Sequence, residues 1–150
     1  SEYLKYNTFN NYKFMIKSFV LAWKNAFAFK GKTSRKDFWF YELASLILFI
    51  TLNVIQNLLF NFQYAFLTSD PIVFGFSLLS TIFAVISQII SIVSIFYILG
   101  NILVGLSISI RRLNDISKNW KWIFIQIIPI LGSIYFIYLM CQPSNANLQE

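Results

Sequence analysis

Arg35, Asp37 and Glu42 precede a long apolar tract whose one charge is Asp70, and Arg111, Arg112 and Asp115 follow it; these are the side chains best equipped for chemistry. On a helix Arg35 lies four residues before Trp39, so guanidinium and indole share a face. Glu42 falls about one turn deeper into apolar sequence, where a lone carboxylate is costly and needs a partner. Arg111 or Arg112 is the natural partner if both ends return to one side. With Lys32 and Lys36 the group has three readings. It is a clamp that fixes helix ends, or a site for anionic headgroups or phosphate, or a dock for a partner protein.

A second constellation is uncharged. Asn53, Gln56 and Asn57 fall near one helical face with Glu42 and Phe49, and Asn61 lies beyond. Ser80, Ser87, Gln88, Ser91 and Ser94 of the next apolar stretch, and Gln126 of the last, are candidates to face them. Ser87 and Ser91 are four apart, a spacing that lets helices approach closely and hydrogen-bond across. Interhelical adhesion is the plain reading, and a water-filled path for an ion or small solute the sharper one. The stripe has nothing ionisable at mid-membrane depth, so a proton relay is poorly supported.

The sequence contains no histidine and one cysteine, Cys141, so imidazole acid–base chemistry, the usual zinc sites and an internal disulfide are not available to it. No nucleophile–base pair, carboxylate dyad or glycine-rich phosphate loop stands at a suitable spacing. The chain reads as a non-enzyme without a cofactor or bound metal.

The elements that must position these residues follow from charge placement. All 12 Lys and Arg fall within Lys5–Lys36 or Arg111–Lys121, whereas residues 37–110 carry only Asp37, Glu42 and Asp70. A water-soluble surface needs charge along its whole length; a membrane protein does not, and it keeps its cationic loops in the cytoplasm. The net charge of +6 therefore reflects topology and anionic headgroups rather than nucleic acid. The expected fold is all-α, an integral membrane bundle of three transmembrane helices behind an N-terminal amphipathic helix. Residues 1–11 are polar and read as loosely ordered. In residues 12–29, Phe14, Met15, Phe19, Ala22, Trp23, Ala26 and Phe27 recur every three or four positions, as in a helix lying at the headgroups or docked on the protein's own body.

The membrane domain covers residues 30–141. Lys30–Thr33 reads as a turn, and Ser34 with Asp37 as a capping box opening a first span at about 39–62. Asp70-Pro71 restarts a helix. The uncharged stretch from Ile72 to Ile110 is a short surface helix followed by a span at about 80–107, or else two spans joined by a tight turn; the positive-inside bias favours the first. A third span at about 122–140 is expected to be kinked by Pro129, with Gly132 allowing close backbone approach. Trp23, Trp39, Trp120 and Trp122 mark interfaces. This threading leaves the N-terminus cytoplasmic and the polar tail 142–150 on the periplasmic side.

Two stretches resemble the signature of a bacterial inner-membrane family, the domain of unknown function 805. Phe29-Lys30-Gly31-Lys32-Thr33-Ser34-Arg35-Lys36-Asp37-Phe38-Trp39 is similar to its F-x-G-R-x-x-R-x-E-Y-W opening. Arg111-Arg112-Leu113-Asn114-Asp115, with Trp122, Pro129 and Gly132, is similar to its R-R-L-H-D segment, following tryptophans and P-x-x-G helix. The likeness runs from about residue 20 to 145. Lys32 replaces the usual Arg, Asn114 the usual His, and Ser117 and Trp120 stand where Gly is common. Any proton-transfer role of the family histidine is thus unavailable. The resemblance implies a small inner-membrane protein and supplies no reaction. The expected function is that of a non-catalytic subunit or scaffold in a larger inner-membrane complex, touching anionic lipids and other subunits or itself. The alternative is a small oligomeric channel or transporter.

Overall fold

The computed structural model describes residues 2–68 and 74–145. Its order is α1 (Glu2–Lys24), α2 (Arg35–Thr68), α3 (Phe74–Asp115), a 3-10 helix (Trp120–Ile127) and α4 (Leu131–Cys141). The expected Asp70 cap and Pro71 start lie outside the described residues, as does Glu150. The chain forms two compact units, one of residues 1–45 with 101–150, the other of residues 46–100.

Two helical stretches, Arg35–Ala65 and Leu78–Asp115, are long and apolar enough to cross a bilayer. In each, 6% of the most apolar window is buried, so neither is the core helix of a soluble domain. The tract expected to hold a surface helix and a span, or two spans, is one continuous helix of 42 residues. Between Phe74 and Asp115 there is no proline, and its glycines alone do not interrupt a helix.

In the first unit, α1 begins well before residue 12 and ends at Lys24 rather than at Phe29. Residues 2–24 contain neither Gly nor Pro, and a polar pattern does not by itself prevent a helix. The end has a specific cause: the Ser107 hydroxyl reaches the carbonyls of Asn25 and Ala28 at 3.2 and 3.1 Å and holds that backbone in a turn. Part of the expected apolar face is docked, whereas Phe14 and Phe27 are exposed. Ala22 is buried, Phe19 and Trp23 pack on the core, and Phe19 stacks on Tyr41 of α2 with centroids 6.0 Å apart. Trp23 is thus a packing residue. Trp39, Trp120 and Trp122 are exposed.

The third apolar segment departs most from expectation. It is two short helices rather than one continuous helix. After the 3-10 helix the chain reverses at Pro129-Ile130-Leu131: Ile130 sits at φ 64°, ψ −68°, and the Leu131 N–H meets the Pro129 carbonyl at 2.8 Å. That is a γ-turn of the rare positive-φ kind, disfavoured for a β-branched residue. Gly132 then packs so closely that a Cβ would lie 1.8 Å from the Ile125 carbonyl oxygen. The close approach expected of Gly132 is present, but it serves a hairpin between the 3-10 helix and α4. Trp122 and Tyr135 face one another across it at 5.6 Å. Each arm is about 16 Å long, half the thickness of a hydrocarbon core.

In the second unit, Phe62 stacks on Phe83 at 5.7 Å, and Gln56 Nε2 donates to the Ser87 carbonyl at 3.2 Å. Ser80 and Ser87 are buried, and most of the large apolar side chains are exposed.

Candidate functional site

The site is assembled in the first unit, where the ends of α2, α3 and α4 meet. Ser34 caps α2 as expected: the Asp37 N–H donates to Ser34 Oγ at 3.1 Å, and that hydroxyl donates to Asp37 Oδ2 at 2.6 Å. Asp37 also accepts from Ser18 Oγ of α1 at 2.9 Å, so the carboxylate fastens α1 to α2 instead of meeting an arginine.

At the far end of α3, Ser117 adopts φ 58°. The Ser117 N–H reaches Asn114 O at 3.2 Å and the Lys118 N–H reaches Leu113 O at 2.9 Å, which is a Schellman end. A left-handed residue is required there, which explains why glycine suits this position in the resembled family. Asn114 stands where that family has histidine and acts as a donor. Its Nδ2 reaches the carbonyls of Phe29 and Gly31 at 3.4 and 3.3 Å, while the Thr33 N–H meets Arg111 O at 3.3 Å. Gly31 itself sits at φ 109°, where a side chain would be strained. The two sequence signatures therefore close on one another.

Arg112 is the centre of the arrangement and is fully buried. It forms a salt bridge with Asp115 through Nη1, donates Nη2 to the Gln142 carbonyl, and donates Nε to the Met140 carbonyl at 3.3 Å. Ser144 adds its hydroxyl to Asp115, and the Asn145 N–H reaches the Asp115 carbonyl at 3.2 Å. From α2, Arg35 Nη1 donates to the Cys141 carbonyl at 3.2 Å. Two guanidiniums thus take three successive carbonyls at the C-terminus of α4, where unpaired acceptors and the negative end of the helix dipole accumulate. We call this the arginine latch. Residues 142–145 lie against Arg112 and Asp115, at the same end of α3 as the Arg111–Lys121 loop.

The expected pairing of Glu42 with Arg111 or Arg112 does not form. Arg112 is occupied by nearer partners, and Arg111 Nε turns back to Ser107 O of its own helix at 3.4 Å. Glu42 instead lines a cavity of about 420 Å³. Arg35, Lys36 and Trp39 share a second groove, which keeps Arg35 and Trp39 on one face as expected. Asn101, Tyr41 and Ser45 were not singled out in the sequence. Asn101 Oδ1 accepts from Tyr41 Oη at 2.6 Å and Ser45 Oγ at 3.1 Å. It is the single amide side chain between Gln88 and Asn114, a signal that would have flagged it.

Of the amide stripe, Gln56 alone bonds across to a neighbouring helix among the described residues. Asn53 and Asn57 donate to the carbonyls of Phe49 and Asn53 within α2, at 2.8 and 2.9 Å. Ser87 likewise bonds its own helix, and Ser91 lines a cavity of about 280 Å³ with Asn53, Gln56 and Ser94.

Two membrane-length helices and a short apolar hairpin latched by arginine define a helical protein of membrane type. By sequence comparison residues 26–150 match a family described as "Protein of unknown function (DUF805)", and the chain belongs to that family. It is similar to the inner membrane protein YhaI of Escherichia coli strain K12 and to its counterpart in strain O157:H7. Each is 25% identical over 124 residues, covering 83% of this chain and 82% of the relative. No solved structure matches the chain.

Proposed function

We propose that this chain is a non-catalytic subunit or scaffold of a bacterial inner-membrane assembly. It crosses the bilayer with α2 and α3 and returns its third apolar segment to the side it left. The observation that carries this reading is the exposed apolar surface of the two long helices, in each of which 6% of the most apolar window is buried. Lipid or the helices of other subunits must cover it, because water cannot do so without large cost. The inner-membrane name of the relatives supports the location. The cationic residues around the latch, read with the positive-inside bias, support a reading in which α1, the Arg111–Lys121 loop and residues 142–145 face the cytosol, next to anionic headgroups.

Reporters fused at each end of the chain test the threading. Both are expected in the cytosol, and a periplasmic C-terminal reporter would refute it. Gentle solubilisation tests the subunit role: a partner should co-purify at fixed stoichiometry, and recovery of the chain alone would refute it. The second reading is a small-solute path, favoured by the cavity of about 280 Å³ beside Asn53 and Gln56. Replacing Asn53 and Asn57 together with Leu should leave assembly intact, and it would abolish flux only if that path conducts.

A further inference from the structure

The cavity beside Glu42 has no role in the arginine latch or in the proposed scaffold. Its wall is built from α2, α3, the 3-10 helix and α4, all within the first unit. At about 420 Å³ it falls in the size range of small-molecule sites. Glu42 takes part in no hydrogen bond or ion pair among the described residues. A carboxylate set in an apolar wall is costly without a counter-charge, and both arginines near the α3 end are directed elsewhere.

Of the other polar groups of the wall, Asn101 already accepts from Tyr41 and Ser45. Ser109 and Gln126 each bring an oxygen able to accept a hydrogen bond. Phe38, Trp39 and Phe136 bring aromatic rings, whose faces attract cations. An anion would meet the Glu42 charge unopposed. A calcium or magnesium ion would need several more oxygens than one carboxylate and two neutral side chains supply. What remains is an amphiphile with a monovalent ammonium group, that group against Glu42 and its tail along the apolar wall.

We propose that the Glu42 cavity binds an amphiphilic ammonium, whose source is either an ethanolamine phospholipid or a free long-chain amine. The site does not depend on the scaffold reading, and it stands whether or not a partner protein co-purifies.

Gly105 supplies an independent handle. It lines the cavity from α3, and a Cβ built on it meets no atom within 4 Å. Gly105→Leu would therefore fill the space with little strain elsewhere. Purified full chain in neutral maltoside is titrated with dodecylammonium against dodecanol. Separately, it is titrated with phosphatidylethanolamine against acyl-matched phosphatidylglycerol. Native mass spectrometry counts bound ligand, and the unfolding temperature reports stabilisation.

One equivalent of an ammonium ligand should bind in preference to its uncharged or anionic counterpart. Glu42→Gln should weaken binding about tenfold or more. Gly105→Leu should abolish it while leaving helix content and ligand-free unfolding close to wild type. Dodecylammonium binding without phosphatidylethanolamine binding assigns the site to free amines; binding of phosphatidylethanolamine assigns it to the lipid. Undiminished binding in Glu42→Gln, undiminished binding in Gly105→Leu, or equal binding of the control ligands would overturn the proposal.

Discussion

Replacing Arg112 with leucine removes a buried guanidinium from four oxygen partners at once: Asp115, Gln142, Met140 and Ser144. Asp115, itself largely buried, then loses its counter-charge. Breaking one side of a buried pair typically destabilises by about 3–5 kcal/mol. Stranding the two carbonyls would contribute about 1–3 kcal/mol each if they stayed buried, but groups sharing one partner do not add. We therefore expect about 3–5 kcal/mol in total, equivalent to a rise of roughly two to three and a half orders of magnitude in opening of the α4 end. Backbone hydrogen exchange reads this directly at Gln142 and Asn145, whose N–H groups bond Leu139 O and Asp115 O. Arg112→Lys keeps the charge but cannot reach carboxylate and carbonyls together, so its loss should be intermediate. Arg112→Leu combined with Asp115→Leu should recover part of the loss, because no carboxylate is then stranded. Unchanged protection at Gln142 and Asn145 in Arg112→Leu would show that the latch does not hold the α4 end.

Gly132→Ala should cost at least about 1–3 kcal/mol in detergent unfolding, because its Cβ would collide with the Ile125 carbonyl oxygen 1.8 Å away. Ser117→Gly should stabilise by up to about 1 kcal/mol, since Ser117 occupies φ 58°, less whatever the Asn145 Nδ2 bond to its hydroxyl contributes. Ser34→Ala should cost about 1 kcal/mol and increase exchange in the first turn of α2, where the Asp37 N–H loses its acceptor. Asn114→Ala should cost about 1 kcal/mol and speed exchange at Thr33, because the Phe29–Gly31 turn loses both donated bonds.

Local signals in the sequence were reliable where the structure is local. Ser34 and Asp37 mark the start of α2 because a cap and its N–H lie three residues apart. Of the periodic apolar residues of the N-terminal segment, Phe19, Ala22 and Trp23 pack on the core while Phe14 and Phe27 are exposed, and the two family-like motifs meet where Arg111 and Asn114 bond the Phe29–Thr33 turn. Span length and charge placement were enough to identify two helices that can cross a bilayer. The third apolar segment reads as one helix because its nineteen residues, 122–140, carry no charge and fit a span by length. What divides it is a backbone reversal at Ile130 and the packing of Gly132 on Ile125, features that hydropathy does not register.

Composition and spacing alone determined that the cations gather on either side of the long apolar tract. Only the tertiary structure decided what those cations hold. Arg112 and Arg35 meet backbone carbonyls of Met140, Cys141 and Gln142, and every residue of a chain carries such a carbonyl. A side-chain partner leaves a mark in the sequence. A carbonyl partner leaves none until the fold brings it within reach.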